Sequence, residues 1–125
     1  MNYDLITRKK LRKLDKSDAI VFIPVALMEV HGEFLPLGTD YMESIGWTRH
    51  IAVDALKKRR ADNHYTVVHF PPLPIGSAGL RGATGTCSID RHLLKNVLIE
   101  IMDQLVFAGF KKFFLATAHH GNTHA

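Results

Sequence analysis

Ala19-Ile20-Val21-Phe22-Ile23-Pro24-Val25 runs almost wholly apolar, without the alternation of a half-solvated strand. That is the pattern of a strand buried on both faces, as in a parallel sheet covered by helices on each side. Pro24 has no N–H to give to a ladder, so the strand is expected to end near it. Thr66-Val67-Val68-His69-Phe70 reads as a second strand, closed by Pro71-Pro72 and Pro74, and Phe113-Phe114-Leu115-Ala116-Thr117-Ala118 as a third. Between the first two, the pattern from Asp40 to about Arg60 is helical, with Ile45, Ala52, Ala55 and Leu56 on one side, until Asp62-Asn63 breaks it. Between the second and third, Leu94, Val97, Leu98, Ile101, Leu105 and Ala108 recur at helical spacing. Ser88 can cap that helix, Asp90 falls in its first turn, and Gly109 supplies a C-terminal stop.

Strand, helix, strand, helix, strand is the order of right-handed parallel crossovers. The fold class is therefore α/β, a three-layer α/β/α arrangement around a mainly parallel sheet. The chain reaches Ala125 just after the third strand, so the fold is expected to be cut short there. Residues 1–18 form an N-terminal amphipathic segment carrying Leu5, Leu11 and Leu14, and residues 19–125 form the α/β domain. No internal repeat or linker divides them.

The chain has 125 residues, 46% apolar and 22% charged, which is ordinary for one globular domain. Its formal net charge of +4 raises the question of nucleic acid. The cations sit in two runs, Arg8-Lys9-Lys10 with Arg12-Lys13-Lys16, and Lys57-Lys58-Arg59-Arg60. No aromatic residues interleave with either, as a single-strand binder would need. The second run closes a helix, where cations meet the negative end of the macrodipole. Nucleic acid is therefore not an expected partner. Cys87 is the sole cysteine, which excludes an internal disulfide and a cysteine-based metal site. The N-terminus lacks a signal-peptide core, and no apolar stretch approaches the ~20 residues of a membrane span. A reducing, cytoplasmic compartment and no membrane partner are the expectation.

Open parallel sheets place ligand sites at the C-terminal ends of their strands. Met28-Glu29-Val30-His31-Gly32 follows the first strand, and Leu35-Pro36-Leu37-Gly38-Thr39-Asp40 completes its loop. A Gly-rich loop from Gly76 to Gly85 follows the second, and His119-His120-Gly121-Asn122 the third. Glu, His and Asp are donors suited to Zn²⁺ or Mn²⁺, and a carboxylate can bridge two ions. Of the eight histidines, His50, His64, His69 and His92 lie in helical, loop or strand positions that suggest no chemical role. Ser88 is read as a helix cap and Cys87, which has no basic partner nearby in sequence, as structural, so neither is expected to act as a nucleophile.

The loop Glu29-Val30-His31-Gly32-Glu33-Phe34-Leu35-Pro36-Leu37-Gly38-Thr39-Asp40 resembles the creatininase (creatinine amidohydrolase) motif Glu-Gln-His-Gly-Pro-His-Leu-Pro-Leu-x-Thr-Asp, with eight matches in unbroken register. Ala83-Thr84-Gly85-Thr86-Cys87-Ser88 resembles the family's Phe-Pro-Gly-Thr-x-Ser loop. Thr117-Ala118-His119-His120-Gly121-Asn122 resembles its Asn-Gly-His-Gly-Gly-Asn. The resemblance implies a metal-dependent amidohydrolase with Glu29, His31, Asp40 and His119 as metal ligands. It implies two ions, Zn²⁺ and/or Mn²⁺. Glu29 and His31 would bind different ions, Asp40 would bridge them, and His119 would join Glu29. The implied substrate is a small cyclic amide, formamide or related C–N compound, and the implied state is a homo-oligomer.

Several departures bear on that reading. Creatininases proper carry a Glu ligand two residues after the third-strand His, where this chain has Gly121, as the resembled family branches with Gly-Gly-Asn do. Phe34 stands for the motif's second His, Glu33 for its Pro, and His120 for a Gly. These changes point away from creatinine itself. Family members also continue well past the third strand, and the later half supplies the catalytic acid/base and the substrate lid. The competing reading is accordingly a non-catalytic metal-binding remnant or half-domain; a basic-surface binding module ranks below both.

Overall fold

The computed structural model describes residues 1–59, 65–77 and 80–124. Arg60, the Asp62-Asn63 break, His64, two residues of the Gly-rich loop and Ala125 lie outside the described residues. Three parallel strands, β1 (Ala19–Pro24), β2 (Thr66–His69) and β3 (Lys112–Ala116), form one sheet in the order β2-β1-β3. The central strand is the apolar run: of its six residues only Ile20 is less than buried. Pro24 is tolerated because β2 has already ended opposite it. The Pro24 carbonyl instead accepts from Leu73 N–H (2.8 Å), and Val25 N–H donates to Ala116 across the other edge (2.8 Å). The third strand starts one residue earlier than the sequence suggests and ends at Ala116, which frees Thr117 and Ala118 for the loop beyond.

The chain steps from β1 to β2 on one side, then returns across β1 to β3 on the other. With right-handed crossovers, that reversal requires the two connections to lie on opposite faces. Helix α4 (Arg91–Phe107) takes one face. There Ala19, Val21, Ile23 and Val25 pack with Val68, Leu94, Leu105 and Phe110 into the main apolar core. Burying each Val, Ile, Leu or Phe side chain there contributes on the order of 1.5–3 kcal/mol. The α4 cap is Asp90, not Ser88: its carboxylate accepts from the N–H groups of His92 (2.8 Å) and Leu93 (3.3 Å). Gly109 ends the helix with φ 104. Its N–H donates to Val106, and Phe110 N–H to Leu105, the paired bonds of a Schellman stop.

The opposite face carries Phe22, whose ring lies 5.0 Å from that of Phe114. It is covered by α2 (Thr39–Gly46), a π-helical turn (Trp47–Ala52) and α3 (Val53–Arg59). The expected apolar stripe is not what this segment buries. Its buried residues are Asp40, Ser44, Thr48 and then Val53, while Ala55 is exposed. The steps of four, four and five show the π turn taking in one extra residue to keep a single line facing inward.

The N-terminal segment lies along the outer edge of β2. The Met1 amino group donates to the Val67 carbonyl (2.6 Å), and His69 N–H donates to the Met1 carbonyl (2.8 Å). Tyr3, Ile6, Leu11 and Leu14 pack on the core, while Leu5 is exposed. Helix α1 (Arg8–Lys13) presents its basic residues outward. No described helix is long and apolar enough to cross a membrane.

Candidate metal centre

The loop after β1 is built as a rigid arm. Glu29 N–H donates to the Leu37 carbonyl (2.8 Å), which closes the loop on itself. Met28 pairs with Cys87, whose N–H donates to the Met28 carbonyl (2.9 Å), and Val30 N–H donates to the Thr86 hydroxyl (3.3 Å). Thr86-Cys87, just past the Gly-rich loop, thus brace the arm from outside. Gly32 takes φ 78, a left-handed turn that a side chain would strain, and so lets the chain reverse after His31. The loop then enters α2 at Thr39, placing Asp40 in the first turn, where the helix dipole favours a carboxylate.

These elements bring Glu29, His31, Asp40 and His119 together at the C-terminal ends of β1 and β3. Glu29, Asp40 and His119 are buried and His31 is partly so. One ligand atom from each of Glu29, His31 and Asp40 lies within 4.8 Å of the others, a group able to hold a metal ion. The Asp40 carboxylate is shared: Oδ1 lies 3.0 Å from His31 Nε2, and Oδ2 lies 2.8 Å from His119 Nδ1. His119 Nδ1 also meets Glu29 Oε2 at 3.1 Å. Two compartments result, one with Glu29, His119 and Oδ2 of Asp40, the other with His31 and Oδ1.

Each imidazole is held from behind by a backbone carbonyl. His31 Nδ1 lies 2.9 Å from the Glu29 carbonyl, and His119 Nε2 lies 2.9 Å from the Ser77 carbonyl. A carbonyl only accepts, so these two ring nitrogens carry the protons. The other two nitrogens then direct lone pairs at carboxylate oxygens. Lone pairs facing at such distances require a proton or a cation between them. With a proton, His31 is an imidazolium: the Glu29 carbonyl above all, then the Asp40 carboxylate, raise its pKa above the usual histidine value despite partial burial. With a metal ion, the same nitrogens are ligands and the carbonyls are the outer partners that fix their tautomers. The donor set, two imidazoles and two carboxylates, fits Zn²⁺ or Mn²⁺.

Sequence reasoning passed over two contributors. The Ser44 hydroxyl donates to the Asp40 carbonyl (2.8 Å) and accepts from Ala118 N–H (2.9 Å), which ties α2 to the residue before His119. The Ser77 carbonyl belongs to the backbone, so no residue-type signal marks it. His50 and His92 are exposed on helical segments, and His69 is half-buried in β2, all away from the cluster. Gly121 has no room for the ligand Glu of creatininases proper: a Cβ there would collide with the Ser77 carbonyl and with His119 Nε2.

The family model for creatinine amidohydrolase matches residues 4–125. The chain belongs to the creatinine amidohydrolase family. Solved structures agree in fold. A Bacteroides fragilis NCTC 9343 protein, provisionally assigned as a creatinine amidohydrolase, is 24% identical with TM-score 0.72, over 97% of this chain and 46% of its own. A creatininase described as an Mn form is 20% identical with TM-score 0.75, over 98% of this chain and 47% of its own. A creatininase variant described as Zn–Zn type is 19% identical with TM-score 0.74, over 98% and 46%. The chain therefore spans about half the length of the solved structures it matches. No curated protein matches it in sequence.

Proposed function

We propose that the chain carries the metal-binding half of an amidohydrolase that cleaves a C–N bond in a small cyclic amide, formamide or related compound. The single observation that carries this reading is the shared Asp40 carboxylate, with a backbone-anchored imidazole on each oxygen. Glu29, His119 and Asp40 would hold one ion, and His31 and Asp40 the other, as Zn²⁺ or Mn²⁺. Such a pair supplies Lewis acidity toward an amide carbonyl and lowers the pKa of water to about 7. The chain's own residues do the rest. Asp40 bridges the compartments, the Glu29 and Ser77 carbonyls fix the imidazoles, and the Asp40 position at the α2 N-terminus keeps its charge stabilised.

An amine leaving group needs a proton donor, and on this reading all four clustered side chains would be committed as ligands. A donor from the part of the family fold beyond this chain would complete the site. Turnover by this chain alone is expected to be weak or absent. Calorimetric titration with Zn²⁺ and Mn²⁺, followed by amide hydrolysis assays on cyclic ureides and formamides, tests the reading. Absence of tight metal binding would sink it.

One observation favours the second reading, a non-catalytic metal-binding remnant. Gly121 is sterically closed to the Glu ligand of creatininases proper, so the second compartment is poorer in donors than the first. Binding of one ion per chain, where the first reading needs two, would select it.

Self-association is part of the same proposal. Trp47, Ile51, Phe114 and Leu115 are exposed together around one cleft beside β3, and Phe107 at the end of α4 is 90% exposed. Contiguous apolar surface of this kind marks an association site. Light scattering at micromolar concentration should give a mass above that of the monomer, and a well-folded monomer would overturn the proposal.

A further inference from the structure

The Asn122 side chain ties together the segments that follow all three strands. Its Oδ1 accepts from Ser77 N–H (2.9 Å), in the loop that follows β2. Its Nδ2 donates to the Val25 carbonyl just past β1 (3.3 Å) and to the Thr117 hydroxyl just past β3 (3.1 Å). The Thr117 hydroxyl in turn accepts from His119 N–H (3.1 Å). An amide offers one acceptor and two donor protons, and here each has a partner on a different segment.

The consequence falls on His119. Ser77 gives its N–H to Asn122 and its carbonyl to His119 Nε2, so the amide holds both the peptide and the imidazole it anchors. The backbone leaves space for this arrangement at two glycines. A Cβ on Gly76 would lie 2.7 Å from Asn122 Oδ1, and one on Gly121 would sit on the Ser77–His119 hydrogen bond. Two positions without side chains flank one three-way bond, a costly arrangement unless the bond matters.

We infer that Asn122 is a positioning residue that locks Ser77 beneath His119 and thereby aims Nδ1 of His119 into the Glu29–Asp40 compartment. The inference rests on the metal-site reading for its functional consequence, but its structural core can be measured without metal.

The test uses the chain with Asn122→Ala, Asn122→Asp and Gly121→Ala. Leu105→Ala serves as a control that destabilises the core far from the site. In metal-free protein, the His119 Nε2 proton is followed by NMR as a hydrogen-bonded, slowly exchanging resonance. It should exchange at least about tenfold faster in Asn122→Ala and Gly121→Ala than in Leu105→Ala. Asn122→Asp keeps an oxygen for Ser77 N–H but loses both donors, and should fall between. Zn²⁺ affinity by calorimetry should drop about 10- to 100-fold in Asn122→Ala, the usual effect of losing an outer partner of a metal-bound histidine. If Asn122→Ala and Leu105→Ala protect the Nε2 proton equally, the inference is overturned. If protection is lost as expected while the unaltered chain binds neither Zn²⁺ nor Mn²⁺, the positioning role stands and the metal reading fails.

Discussion

Helix α4 buries Leu94 and Leu105 against one face of the sheet, whereas the α2 segment buries Asp40, Ser44 and Thr48 against the other. Both connect parallel strands, and both are held by contacts along one line of side chains. The apolar line on α4 is stability, and a residue there matters for its volume. The polar line on α2 is placement: Ser44 couples Asp40 to Ala118, and Thr48 donates back to the Ser44 and Ile45 carbonyls (3.1 and 2.9 Å). One side of the molecule keeps the chain folded, and the other keeps Asp40 and His119 in register.

Substitutions can break that contrast. Leu94→Ala should cost about 3 kcal/mol in urea unfolding, because Leu94 is wholly buried and the site cannot collapse around the cavity. The folded fraction should bind Zn²⁺ as before. A cost under about 1 kcal/mol would mean that the α4 face is not the main core. Asp40→Asn should lower Zn²⁺ affinity by about 100-fold or more, since it removes the charge both imidazoles share. It should shift metal-free stability less than Leu94→Ala does; the reverse ranking would show that α2 is a stability element after all. Ser44→Ala should cost about 1–2 kcal/mol by leaving Ala118 N–H without its acceptor, and should weaken metal binding as well. Lost stability with unchanged affinity would separate Ser44 from the site.

The smallest effect concerns pH. Burial, followed by the Met1 amino charge and Arg49, lowers the His69 pKa. The unfolded chain therefore takes up the proton first as pH falls below about 6.5. Stability should decline from there and level off below the folded pKa. In His69→Gln that part of the decline should vanish from urea midpoints measured across the range, and an unchanged profile would exclude His69 as its source.

The difference between the two helices also explains what could be read from the residues. The β1 strand and α4 announce themselves because burial there is apolar, with periods of continuity and of three to four residues. The α2 stripe does not: Asp40, Ser44 and Thr48 look like a solvated face, and the π turn breaks the helical period before Val53. Ser88 and Asp90, two residues apart, are both good capping residues, and backbone geometry alone decides for Asp90. At the site, Glu29, His31, Asp40 and His119 could be picked out through the resemblance of their loops. The carbonyls of Glu29 and Ser77, which set the two tautomers, are carried by every peptide and leave no mark in the sequence.

The pairing of Met1 and Asn2 with the rim of β2 gives the sheet a direction of growth. On that side the outer backbone groups of Val67 and His69 are already taken. On the other side β3 pairs only with β1 among the described residues, so its far edge is the place where another strand can add. Any strand joining there, from a longer chain or a second copy, would run beside Lys112–Ala116, the strand that leads straight into the loop bearing His119. The free edge of the sheet and the candidate site thus meet on one strand.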